Sequence, residues 1–239
     1  MTLLQKKIHF RLFISISLGF ILFTVIGTLS HESGHYIAAK SLGYHSEIHY
    51  AYTVSFDPVL MGKIKAIYTR NKAAIEKRNN FPEKHIFDKY NKQFDQGQII
   101  IIAGGILQTI LTGSLGFFLL LYRRKKSQKP FNWLDWSLVL VALFWLREVF
   151  NAFMAILIGL INNSGKYFGG DEANLAALWG LPKGVIALPL GIIGLVICLY
   201  IIFKLIPIHQ RLTFIIGGFV GGVSGYVIWI YMLGPMLLP

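Results

Sequence analysis

The chain has 239 residues, 54% of them hydrophobic and only 14% charged, with a formal net charge of +12 and a mean hydropathy of +0.57. That balance excludes an ordinary soluble domain and indicates a membrane protein. The basic excess is that of loops facing anionic lipid, so nucleic acid is not expected as a partner, and the single cysteine, Cys198, excludes an intrachain disulfide or a cysteine-based metal centre.

A helix needs about 20 residues to cross a hydrocarbon core. Five apolar stretches meet that length: Leu12 to Ser30, Ile99 to Leu121, Ser137 to Leu160, Val185 to Phe203 and Thr213 to Leu233. The expected fold is an all-α polytopic membrane protein of about five transmembrane helices, forming a single membrane domain over 1–239. The first stretch follows Lys6, Lys7 and Arg11, as a signal peptide would, but it is longer than an h-region and has no small-x-small cleavage site, so it is read as a retained helix. These basic residues and the run Arg123 to Lys126 favour an N-inside orientation. The long loop that follows the first span weighs less in that rule.

Between the first two spans lies a polar loop, 44–98. Ile48, Tyr50, Tyr52, Val54 and Phe56 alternate with more polar residues, which predicts a strand with one apolar face; Asp57-Pro58 ends it, and Gly62 to Thr69 is expected as the return strand of a small membrane-associated β-hairpin. From Asn71 to Gln96, Lys, Glu, Asn and aromatic residues around Pro82 predict amphipathic helical pieces at the lipid surface. Gly104 and Gly105 open the second span and allow a close approach by another helix. Arg147 and Glu148 fall near the middle of the third span, so both are expected to face the interior. The glycine-rich last span reads as a packing face.

The chemistry concentrates in "GTLSHESGHYIAAKSLG", Gly27 to Gly43. Two histidines four residues apart project from one face of a helix and can bind one ion, and Glu32 beside the first is placed as the base that takes a proton from a metal-bound water. Zinc takes such nitrogens readily and needs a third protein ligand. Charged groups at membrane depth cost about 2.5 to 3.5 kcal/mol each, which calls for a compensating partner.

The segment "HESGHYIAAKSLG" resembles the active-site helix of the site-2 protease family of intramembrane zinc metalloproteases, and other landmarks fall in the same order. Ala103-Gly104-Gly105-Ile106-Leu107-Gln108 is similar to that family's Ala-Gly-Pro-x-x-Asn, and Asn163 and Asp171 keep the spacing of its Asn-to-Asp ligand segment without its prolines. The resemblance covers 12–182 as a metalloprotease-like core, leaving 183–239 as two additional transmembrane helices. It implies a Zn2+ cofactor on His31, His35 and Asp171, Glu32 as catalytic base, and Asn163 and Gln108, with Asn151 as a further counterpart, as substrate-binding amides. By residue type and position alone, Glu172 and Glu148 stand beside Asp171 as third-ligand candidates.

The implied function is hydrolysis of a peptide bond within or near the transmembrane segment of a membrane-anchored protein, in the lipid bilayer, with a location in the bacterial cytoplasmic membrane. No PDZ-like domain fits this length, so substrate selection falls to the core or to a regulatory membrane partner. Two other readings remain: a transporter or proton relay through His31, Glu32, His35, Arg147 and Glu148, and a catalytically inactive protease-like protein that binds membrane partners.

Overall fold

A backbone in hydrocarbon must satisfy its own hydrogen bonds, so the apolar stretches become helices. The computed structural model describes residues 8–126, 130–161 and 169–239. Among them, five helical stretches are long and apolar enough to cross a bilayer: Phe10–Ser41, Lys84–Lys126, Trp133–Ile158, Gly184–Leu205 and Ile208–Leu237. The chain is an all-α polytopic membrane protein with one small two-stranded antiparallel sheet.

Helix α1 (Phe10–Ser41) runs without interruption through the His-Glu-His segment. It stops where Gly43 adopts a left-handed φ of +75° and the amides of Leu42 and Gly43 fold back onto Ala39 and Lys40 carbonyls, a turn that glycine makes without strain. At 1.5 Å per residue, His31 lies about 31 Å beyond Phe10, close to the far edge of a ~30 Å hydrocarbon core.

The hairpin forms, with a different register from the expected one. Strand β1 (His45–Ile48) pairs with β2 (Thr53–Phe56), His45 opposite Phe56 and Ile48 opposite Thr53. The stretch 48–56 thus contains a turn, closed by His49 N–H donating to the Tyr52 carbonyl at 2.9 Å. The expected return strand at Gly62 to Thr69 is instead part of helix α2 (Pro58–Glu76). Asp57 decides this: its carboxylate accepts from the amides of Val59 and Leu60, and Pro58 occupies the first helical position. Leu60 and Ile67, two turns apart, are the buried residues of α2, so a helical stripe prevails over the short alternation.

Arg70 and Asn71 of α2 both reach Glu83, at 2.7 and 2.9 Å, folding the connection back, and the Arg70 guanidinium holds the Glu83 carboxyl below its ordinary value. Helix α3 (Lys84–Lys126) then absorbs the amphipathic stretch after Pro82 and the second span into one rod. The third span is broken. Helix α4 (Trp133–Ala142), capped reciprocally by Asn132 and Asp135, passes through a 3₁₀ turn, Leu143–Trp145, into α5 (Leu146–Ile161). After the short α6 (Gly170–Leu178), the last two spans are α7 (Gly184–Tyr200) and α8 (Ile208–Tyr226); each ends in wide π turns, and α9 (Gly234–Leu237) closes the chain.

Small residues set the packing. Helix α8 lies along α1, where a Cβ on Gly221 would overlap the Ser17 carbonyl and one on Gly225 would come within 2.9 Å of Ile21 and Thr24. Helices α1 and α3 cross with their backbones in contact at Gly34 and Gly104: a Cβ on Gly34 would collide with the Gly104 carbonyl, and one on Gly104 would come within 2.7 Å of the Ala38 side chain. An apolar core of Ile16, Leu120, Val139, Trp145, Cys198 and Phe214 joins α1, α3, α4, α7 and α8. The last span also holds the hairpin, since Trp229 Nε1 donates to the Tyr50 carbonyl at 2.8 Å and Tyr50 N–H donates to the Leu238 carbonyl.

Because the obstacle at Gly34 is backbone, Gly34→Val is expected to cost about 1–3 kcal/mol. This reads out as a lower thermal unfolding midpoint in detergent; an unchanged midpoint would mean the helices stand farther apart.

Candidate metal centre

His31, Glu32 and His35 are 1%, 4% and 7% exposed and belong to consecutive turns of α1. Their ligand atoms all lie within 4.8 Å of one another, so this buried group can hold a metal ion. The two Nε2 atoms are 3.0 Å apart. His35 Nδ1 lies 2.8 Å from the Ile101 carbonyl, which can only accept, so Nδ1 carries a proton and in the neutral ring Nε2 offers its lone pair. His31 Nε2 receives Arg147 Nη2 at 2.9 Å. Asp171 Oδ2, which only accepts, stands at 2.8 Å from the same nitrogen, so a donor and an acceptor both face Nε2; with Nδ1 donating to Thr109 Oγ1 at 2.8 Å, Nε2 is the atom left to serve as a ligand. These outer bonds fix ring orientation as they do in metal-binding histidines.

A third acceptor completes the group. Asp171 Oδ2 lies 2.8 Å from His31 Nε2 and 3.3 Å from His35 Nε2. Burial alone would raise the Asp171 carboxyl, yet its contacts with the two imidazoles more than reverse this and hold it well below the ordinary carboxylate value. His31 Nε2, His35 Nε2 and Asp171 Oδ2, separated by 2.8, 3.0 and 3.3 Å, face one small volume that either shared protons or a metal cation can fill. Tetrahedral zinc with bonds of about 2.0–2.1 Å would space its ligands about 3.3 Å apart. Donor chemistry and spacing both fit a small divalent cation.

Two glycines make this arrangement possible. A Cβ on Gly105 would occupy the place of the His35 ring, so only glycine there lets the imidazole lie flat against α3. Gly170, at φ +81°, turns the chain into α6, so that the very next side chain, Asp171, meets α1. Glu172, fully buried, takes another direction: Asn151 Nδ2 on α5 lies 3.2 Å from both of its carboxylate oxygens. Glu148, also buried, faces the interior as expected, with no hydrogen-bond partner for either oxygen among the described residues. Of the three carboxylates considered as third ligand, the fold brings Asp171 to the imidazoles.

Gln108 does not reach this group. Its Nε2 donates to Ser30 Oγ at 2.9 Å and Thr112 Oγ1 at 3.0 Å, and its neighbour Thr109 contacts His31. Asn163 lies outside the described residues. His45 contacts Glu47, and His49 stacks on Tyr52. Thr53 of β2 went unnoticed in the sequence: its hydroxyl donates to Glu32 Oε2 at 2.9 Å and lies 3.0 Å from the Glu32 carbonyl. A threonine in a short strand gives no signal of such a role. Arg147 did give one, as a charge inside an apolar run.

A cavity of about 740 Å³ opens between α1, α5 and α8, walled by Phe20, Phe23, Phe144, Phe150 and Phe219, and reaches Thr109 and Arg147 beside the acceptor triangle. No family model, curated protein or solved structure matches the chain.

Divalent-metal titration of variants tests the assignment. Asp171→Asn is expected to weaken binding by at least about a hundredfold, whereas Glu172→Gln and Glu148→Gln bind as wild type. Equal loss in all three would dissolve the triangle. Gly170→Ala, forcing a Cβ into a left-handed backbone at about 1–2 kcal/mol, is expected to weaken the metal with α1 intact by circular dichroism.

Proposed function

We propose that the protein is an intramembrane zinc metalloprotease of the site-2 protease kind, acting on a membrane-anchored protein. The observation that carries this reading is the close triangle of His31 Nε2, His35 Nε2 and Asp171 Oδ2, with Glu32 on the same helix face and an apolar cleft leading to it. In this reading those three residues hold Zn2+, which when bound polarises the scissile carbonyl and lowers the pKa of water toward 7.

The chain's own residues do the rest. The hydroxyl of Thr53 engages Glu32 Oε2 and turns the carboxylate so that its other oxygen takes the proton from the attacking water and passes it to the leaving amine. Helical substrate hides its carbonyls in its own hydrogen bonds and must unwind first. The hairpin offers the extended product a place, because a two-stranded sheet leaves a strand edge unpaired, and β2 carries the residue that contacts the base. The aromatic walls of the cleft suit an apolar transmembrane segment. Gln108 and Asn163 are assigned to the substrate amides by the resemblance alone.

A second reading, a proton or ion relay, draws on the buried Glu148, whose carboxyl interacts with that of the buried Glu172. One preparation separates the two. Purified wild type is expected to contain stoichiometric zinc and to cleave a model transmembrane peptide. Chelation should abolish cleavage, and Glu32→Gln should abolish it with zinc still bound. Wild type without zinc, or proton flux in reconstituted vesicles that survives chelation and Glu32→Gln, would replace the protease reading by the relay. Full zinc with no cleavage would mark an inactive protein.

A further inference from the structure

Arg147 is the one fixed cation among the described residues at the acceptor triangle. Its Nη2 lies 2.9 Å from His31 Nε2 and 3.6 Å from Asp171 Oδ2. Its Nε is buried without a hydrogen-bond partner, while its side chain as a whole is 35% exposed and lines the apolar cleft. The residue therefore stands between the triangle and the space by which a substrate would reach it.

Its position is electrostatically costly on any purely structural account. A guanidinium in an apolar span loses hydration, and here its Nη2 points at His31 Nε2, a nitrogen whose place in the triangle suits a dication, which would repel it. The neighbouring Glu148 does not serve as its hydrogen-bond partner, and Asp171, at 3.6 Å, is shared with both imidazoles. Two positive centres facing one small volume are stable when an anion lies between them. An anion arises there in peptide hydrolysis: as water adds to the scissile carbonyl, the C=O electron pair moves onto oxygen.

We propose that Arg147 is a catalytic residue that donates through its guanidinium to the scissile carbonyl oxygen as that oxygen becomes negative. This rests on the protease reading above. The balance is that of amide hydrolysis: water forms the new C–O bond, its proton goes through Glu32 to nitrogen, the C–N bond breaks, and the oxygen held by Arg147 returns to a carboxylate. Preorganised donors of this kind act most strongly where water is excluded, as at the inner end of an apolar cleft.

The test compares full-length, zinc-loaded wild type with Arg147→Met and Arg147→Lys. It measures zinc stoichiometry, kcat and KM on a transmembrane peptide, and the affinity of a phosphinic peptide, whose anionic tetrahedral group mimics the oxyanion. Arg147→Met is expected to retain zinc, lose about 10²–10³-fold in kcat with little change in KM, and lose affinity for the phosphinic peptide by a similar factor. Arg147→Lys is expected to recover part of both. Unchanged kcat with zinc retained would overturn the proposal while leaving the protease reading intact. So would loss of zinc with undiminished turnover per bound ion, which would make Arg147 a support for Asp171. Zinc-loaded wild type that cleaves nothing would overturn the protease reading, and this proposal with it.

Discussion

The contact between α1 and α3 is the constraint on which the site depends. Gly34 and Gly104 let two helix backbones meet with no side chain between them, and that distance places His35 against Gly105 and within 2.8 Å of the Ile101 carbonyl. It also brings His31 to Thr109. Both imidazoles are thus oriented by one crossing, through one backbone carbonyl and one hydroxyl about two turns apart on α3. Widening the crossing by a methyl group would release both outer bonds together, so packing here is inseparable from ring orientation.

Burying polar groups at this depth is costly, and the fold meets the cost by concentrating them. Glu32, Glu148, Asp171 and Glu172 gather near Arg147, His31 and His35 rather than scattering along the spans. Thr53, Thr109 and Asn151 supply neutral hydrogen bonds at the edges. Such a cluster is cheaper than the sum of isolated charges because each member takes the place of some of the water its neighbour has lost. The densest part of the cluster is the triangle of His31 Nε2, His35 Nε2 and Asp171 Oδ2, with Arg147 at its edge. Deprotonated, these atoms form a ligand set for a cation; protonated, the imidazoles donate to the carboxylate instead.

What was legible in the sequence follows from which forces act locally. Hydrophobic length marked all five spans, and the spacing of His31 and His35 marked a helix face, since both depend on residues close in sequence. Helix ends were less legible. Helix α3 begins fifteen residues before its apolar run, because Lys, Asp and Gln are good enough helix residues where one end of the rod is wet. The return strand at 62–69 was misread because alternation over eight residues is weaker than the Asp57-Pro58 helix start beside it. By residue type and position Asp171 was one of three carboxylates, and only the spacing of the resembling segment singled it out; what brings it to the imidazoles is the left-handed turn at Gly170, which a glycine pair permits but does not announce. Thr53 was illegible because its role depends on the register of a hairpin folding back onto α1.

The hairpin ties that base to the far end of the chain. Thr53 holds Glu32, the turn between its strands is held by Trp229 and Leu238, and the helix leading to Trp229 is one wall of the cleft. A movement of α8 away from α1 that widens the cleft must therefore either carry the hairpin turn with it or break the Trp229 to Tyr50 bond. The glycines on α8 resist that movement along α1, where Gly217, Gly221 and Gly225 pack on Ile16, Ser17, Ile21 and Thr24. The base on α1 is thus held from two sides, by the packed seam between α1 and α8 and by a hairpin whose turn is tied to the end of the same last span.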